Sequence, residues 1–420
     1  MTKFCCQNRD FTPPSSIYHT IPAEAGVVIR NGGRRHSESR AGIQRHLPRQ
    51  APASPRSPKY NRNGTTPPEF GNSPSKGSFP PMPTIITEHL SIACDLYGSE
   101  DAPVVLLLHG WPDDATTWDR VAPRLAQAGL RVVVPTLRGF GATRFRHDHT
   151  PRTGDSAILA LDAIALMDVL GIDRFMVAGH DWGSNIAEAL AVGWPERVRK
   201  MALLATPPRL GGMPTPSFDQ AQRQWYHWFM ATRRGAQAVR DDRRGFAHIH
   251  WVNWSPRGWF DEATFNRVAK SFDNPDWPAV TIHSYRARWD EAQPDPRGTW
   301  LADRVKATKR LALPTLYLHG EVDGVNPPST ARDVPGKFTG PFKIVELPGV
   351  GHFPQRENPE AVTRHLIDLF VEDEDDRGRW KLAAGVAAAG LLAAAVGFAC
   401  TRPAEDDQSA PEREGGNPKG

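Results

Sequence analysis

From Thr84 onward short apolar runs alternate with stretches of helical period, and such a chain can bury its strands only in a mostly parallel sheet covered by helices on both faces. Val104-Val105-Leu106-Leu107-Leu108 is a continuous apolar strand bounded by Pro103 and Gly110. Residues 85–93 precede it as one strand, and Asp113 and Asp114 stand ready to cap a following helix that Gly129 ends, with Pro123 delaying its start or kinking it. Strand 132–134, a Gly-rich loop at 137–141, helix 156–170, strand 175–178, helix 184–194 and strand 201–204 continue the alternation. Residues 207–310 interrupt it. They carry eight of the thirteen tryptophans on helical patterns without a strand, as an inserted helical cap would. The rhythm then resumes with strand 315–318, a helix near 329–334, strand 343–347 and a last helix at 359–370.

The flanks have a different texture. Residues 1–82 hold 12 Pro, 12 Lys/Arg and 4 Asp/Glu without apolar periodicity, and read as a disordered basic tail. Met82, the first methionine after Met1, sits just before the ordered pattern begins, so translation is expected to start naturally there, with residues 1–81 absent from the native protein. Residues 372–420 hold 6 Lys/Arg and 10 Asp/Glu, which leaves 83–371 neutral with 33 of each. The overall +4 is therefore no argument for nucleic acid, and the basic residues of the tail lack aromatic interleaving. Residues 382–400 form a 19-residue uncharged run, long enough for a membrane span, although nine are Ala and three Gly. Arg377, Arg379 and Lys381 before it would keep the preceding domain in the cytoplasm if it anchors the chain. Four scattered cysteines, two of them adjacent at Cys5 and Cys6, supply no disulfide framework.

The chemistry concentrates at strand ends. Gly179-His180-Asp181-Trp182-Gly183 lies between a buried strand and a helix, where small residues on both sides permit a sharp elbow that lifts Asp181 above the sheet. Alone, that pattern is also an ordinary helix cap. Asp323 follows the 315–318 strand and His352 the 343–347 strand, so nucleophile, acid and histidine come in the α/β-hydrolase order, each past the carboxyl end of a strand. Glu321 is the second candidate for the acid. His109-Gly110-Trp111-Pro112 directly follows another strand, where the backbone N–H of Trp111 would join that of Trp182 in an oxyanion hole.

With these motifs, residues 84–371 resemble the α/β-hydrolases of the epoxide hydrolase and haloalkane dehalogenase group. The resemblance implies a doubly wound sheet with a helical cap, a cofactor-independent reaction, and an Asp nucleophile in place of the Ser of esterases. It also implies two cap tyrosines that protonate the opened epoxide. Only Tyr226 and Tyr285 of the six tyrosines lie in the cap, in contexts similar to the family's. A haloalkane dehalogenase would instead hold halide with the indole N–H of Trp182 and a second donor, and the position after His109-Gly110 is Trp111 rather than Asn. In fluoroacetate-type relatives an Arg follows the nucleophile, where this chain has Trp182. The expectation is an enzyme that turns a small hydrophobic epoxide and water into a vicinal diol, with dehalogenation or a catalytically silent ligand receptor as the alternatives. The pairs His147/His149 and His248/His250 have metal-like spacing without nearby carboxylate or Cys ligands, and no phosphate-binding Gly motif occurs. No metal or cofactor is expected, and oligomeric state is not legible.

Overall fold

The computed structural model describes residues 83–371. The expectations for 1–82, including the start at Met82, and for 372–420, including the span at 382–400, lie outside the described residues. Among the described residues no helix is long and apolar enough to cross a membrane.

Nine strands form one sheet: β1 (Thr84–Ile86), β2 (Leu90–Tyr97), β3 (Val104–Leu108), β4 (Arg131–Pro135), β5 (Arg144–Phe145), β6 (Phe175–His180), β7 (Val198–Leu204), β8 (Thr315–Gly320) and β9 (Phe342–Leu347). Their order is β1-β2-β4-β3-β6-β7-β8-β9, with β5 beside β2. From β4 to β9 all pairs are parallel, and β1, β2 and β5 add an antiparallel edge. Alternate residues of β3 serve opposite faces: Leu106 and Leu108 enter one hydrophobic cluster, Val105 and Leu107 another. That double burial is why the strand reads as an unbroken apolar run.

Helices α1 (Ala122–Gln127), α2 (Ser156–Val169) and α3 (Trp182–Gly193) follow β3, β5 and β6. Between β7 and β8 lie α4 (Phe218–Arg223), α5 (Trp225–Ala231), α6 (Arg233–Asp241), α7 (Arg243–Trp254), α8 (Glu262–Ala269), α9 (Trp277–Ala287) and α10 (Thr299–Ala307), and after β9 come α11 (Pro354–Glu357) and α12 (Pro359–Phe370). The last helix of the insert, α10, rests on α3: a Cβ on Gly193 would lie 2.9 Å from Leu301, and Trp194 meets Trp300 edge-on at 5.6 Å.

Three local expectations are corrected. The strand expected at 85–93 is a hairpin of β1 and β2, because Thr87 reverses the chain with its N–H and hydroxyl on the Leu90 carbonyl at 2.9 and 3.2 Å. Asp114, not Asp113, caps a three-ten turn at Ala115–Trp118, and Pro123 sits in the first turn of α1, which thus begins late. The helix expected near 329–334 is reduced to three-ten turns at Pro328–Ala331 and Pro335–Lys337, where prolines remove the donors a longer helix needs.

Candidate active site

Asp181 sits between β6 and α3 with φ 51° and ψ −110°, a conformation few non-glycine residues adopt. The elbow is pinned from below. The Asp181 N–H donates to the Leu204 carbonyl at 3.2 Å, and the Ser184 hydroxyl donates to the carbonyls of Gly179 and Leu204 at 2.6 and 2.9 Å. A side chain on Gly179 would run into the backbone of Gly183, so the tight turn needs both glycines. The Trp111 turn comes equally close: a Cβ on Gly110 would collide with Asp181 itself and the His180 carbonyl.

That approach brings the Trp111 N–H to 2.8 Å from Asp181 Oδ1. On the other oxygen, Thr206 Oγ1 stands at 3.5 Å and His352 Nε2 at 3.7 Å, within ion-pair range but beyond a hydrogen bond. Trp182, the first residue of α3, follows Asp181 immediately, so its backbone N–H belongs to the helix's electropositive first turn.

His352 is fully buried, and its Nδ1 lies 2.8 Å from Asp323 Oδ2. The other Asp323 oxygen accepts the N–H groups of Val325 and Asn326, both at 2.8 Å, which fixes the carboxylate against the ring. Glu321, the other candidate acid, is exposed and accepts only the Gly349 N–H at 2.9 Å. The loop carrying His352 is held by residues the sequence did not single out. Glu357 accepts the N–H groups of Gly351 and Phe353 and the Ser255 hydroxyl, and that hydroxyl in turn accepts the His352 N–H at 2.9 Å.

Burial alone would strip the proton from His352, but the charges of Asp323 and Asp181 outweigh it and raise the imidazole to about 10. For Asp181, burial pushes the carboxyl up, yet His352, His180 and the Trp111 N–H more than reverse it, and the group lies below its ordinary value. The resting pair is thus a carboxylate beside an imidazolium. His180 and His109 behave differently: burial drops both to about 4, and as neutral rings they serve structure, with Leu137 N–H donating to His109 Nε2 and His180 Nε2 donating to the His352 carbonyl.

Tyr226 on α5 and Tyr285 on α9 meet above this group with ring centres 5.2 Å apart at 81°. Trp111 stacks on Tyr226 at 5.6 Å, and the Trp182 indole N–H donates to the Tyr285 hydroxyl at 3.2 Å. Burial and the Asp181 charge hold the Tyr226 phenol well above its usual value; for Tyr285 burial, Tyr226 and Asp181 do the same. Both are proton donors at neutral pH. A cavity of about 490 Å³ is lined by Asp181, Thr206, Tyr226, Arg209, Arg288 and Lys337, among others. His227 also lines it, neutral through burial, its Nδ1 accepting the Trp289 indole N–H at 3.1 Å while its Nε2 finds no partner. Arg209, His227 and Arg288 are absent from the sequence reading, although Arg288 stands one helical turn beyond Tyr285, a spacing that would have put it on the same face.

The spaced histidine pairs do not converge on a common centre. His147 and His149 stack on each other at 5.2 Å, His248 meets Glu262, and His250 packs against Trp111. Among the described residues no group of three metal-ligating side chains occurs.

An Asp on a strained strand-to-helix elbow thus stands with a close turn after β3 and a late Asp–His pair, and the chain belongs to the α/β-hydrolase family, whose fold it matches over residues 103–359. Its relatives include epoxide hydrolase A of Mycobacterium tuberculosis, 25% identical with 65% of this chain and 92% of that one covered. Among solved structures it is similar to a candidate epoxide hydrolase of Klebsiella pneumoniae, 37% identical at a TM-score of 0.65, over 68% of this chain and 96% of that one. It is also similar to a candidate epoxide hydrolase of Pseudomonas aeruginosa, 25% identical at a TM-score of 0.59, over 71% and 97% of the two chains.

Proposed function

We propose that this α/β-hydrolase is an epoxide hydrolase that works through an ester on Asp181, with the helices of the 207–310 insert as its cap. The observation that carries the reading is Tyr285: its hydroxyl is tethered by the indole of Trp182, the residue next to Asp181, so a proton donor overhangs the carboxylate. In the first step Asp181 attacks an epoxide carbon, the C–O bond breaks, and the ring oxygen takes a proton from the Tyr226/Tyr285 pair. Alkylation removes the Asp181 charge, one of the two that keep His352 protonated. The imidazolium then releases its proton to the tyrosinate, which leaves a neutral base. Water attacks the Asp181 carbonyl, His352 takes one of its protons, and the N–H groups of Trp111 and Trp182 hold the oxyanion until the ester C–O bond breaks and the leaving diol oxygen takes the proton of the regenerated Asp181 carboxyl. Asp323 orients the ring and supports its cation throughout. Proton and charge are restored at the end of the cycle, and no cofactor is consumed.

Haloalkane dehalogenation would need the Trp182 indole N–H for halide, and here that donor is engaged by Tyr285. The complete Asp181/Asp323/His352 set speaks against a silent receptor. Incubation with styrene oxide and, separately, with 1-bromobutane tests the assignment: diol without bromide is the expected result. Bromide without diol would make it a dehalogenase, and neither product across a broad panel would favour a receptor.

A further inference from the structure

The cavity wall carries two arginines near the tyrosines. Arg209, in the loop after β7, and Arg288, at the end of α9, both line it, and neither guanidinium has an ion pair or hydrogen bond to the protein among the described residues. The Arg288 Nε–H is sealed from solvent and donates to nothing, while its guanidinium carbon lies 4.8 Å from the Tyr285 ring centre. Burial and then the like charge of Arg288 push the Arg209 cation down, with only partial relief from Glu188. Glu188 itself is turned to the backbone and accepts the Arg209 N–H at 2.9 Å. Two further acids line the wall: Asp219 is paired with Arg223, and Asp333 is exposed to solvent and pairs with neither arginine. Lys337 adds an ammonium that donates to the Leu210 carbonyl.

Other buried or half-buried arginines find partners: Arg138 has Asp162, Arg356 has Asp113 and Arg297 has Asp295, while Arg243 and Arg286 donate to backbone carbonyls. Two half-buried guanidiniums facing one cavity without such partners carry an uncompensated desolvation cost that a bound anion would offset. The planar forks suit an oxyanion with two coplanar oxygens better than a point charge.

We infer that Arg209 and Arg288 receive a carboxylate of the substrate, so that the preferred epoxide presents its three-membered ring to Asp181 and an acid group to the two guanidiniums. This rests on the epoxide reading above and departs from the expectation of a purely hydrophobic substrate. Arg209 and Arg288 are specificity residues here; the reacting atoms stay with Asp181 and the tyrosines.

The test pairs a chain-length series of terminal epoxides bearing a far carboxylate with the matching primary amides. At the best length the carboxylate should exceed its amide in kcat/KM by about tenfold to a hundredfold. In Arg209→Gln and in Arg288→Gln that ratio should fall to near one. Direct binding keeps the inference separable from catalysis: calorimetry should show phenylacetate held at least about tenfold more tightly than phenylacetamide by the parent protein, and equally by Arg209→Gln. Turnover with a carboxylate-to-amide ratio near one would overturn the acid receptor and leave the epoxide reading standing. Preferential phenylacetate binding with no diol from any epoxide would support the receptor and overturn the epoxide reading. Equal binding of the two phenyl ligands by the parent protein would end the inference whatever the kinetics.

Discussion

The Trp182 indole N–H lies 3.2 Å from the Tyr285 hydroxyl, a bond that joins the strand-to-helix elbow at Asp181 to the helical insert. Because the indole donates, the phenolic proton remains available to the substrate. Tyr285→Phe should lower diol formation by about a hundredfold or more, within the range for loss of a positioned acid. Trp182→Phe should give a smaller loss by releasing the same hydroxyl. Initial rates with styrene oxide measure both, and equal or greater loss in Trp182→Phe would place the acid elsewhere.

On the proposed route through an ester on Asp181, His352→Gln should alkylate and then stall, because that ester needs a base to activate water. Intact-protein mass spectrometry should find the substrate mass added to Asp181. Loss of turnover without an adduct would reverse the assigned order of events.

Asp323→Asn leaves His352 without its buried counter-charge. Turnover should fall by about a thousandfold or more, by analogy with the orienting acid of other triads. Stability should respond as well. Folding raises the imidazole from about 6.5 in the unfolded chain to about 10 in the folded one. The contribution is fully present below the lower value and is lost as pH rises through the upper one. Thermal midpoints of the parent protein should fall between those limits, and those of Asp323→Asn should fall less over the same window.

Gly110→Ala would force a methyl group against Asp181 and the His180 carbonyl. The variant should fold, as judged by circular dichroism, yet lose about a hundredfold in activity, since small displacements of reacting groups are costly. Retention of full activity would mean that the Trp111 turn can retreat without consequence.

Arg356 and Asp113 form a buried pair that ties α11, just after His352, to the turn after Trp111. Removing one partner leaves a buried charge alone. Arg356→Met should cost about 3–5 kcal/mol in chemical denaturation. A loss below about 1 kcal/mol would show that the turn and the histidine loop hold each other by packing alone.

The sequence by itself determined the sheet, because buried parallel strands must be apolar on both faces and so leave continuous runs such as Val104–Leu108. It also determined which residues stand at strand ends: Trp111, Asp181, Asp323 and His352 each follow a run by a few positions, and local order along the chain is what spacing records. Tyr226 and Tyr285 were legible only through family resemblance, since helical period cannot tell a packing tyrosine from an acid. Tertiary structure decided what depends on approach between distant segments. It set Asp323 rather than Glu321 against the imidazole and turned the Trp182 indole onto Tyr285. It also left Arg209 and Arg288 facing one cavity without a carboxylate paired to either, although residues 83–371 carry balanced charge. Net charge is a sum over the chain, whereas the potential in a cavity depends on which few charges the fold brings to its wall.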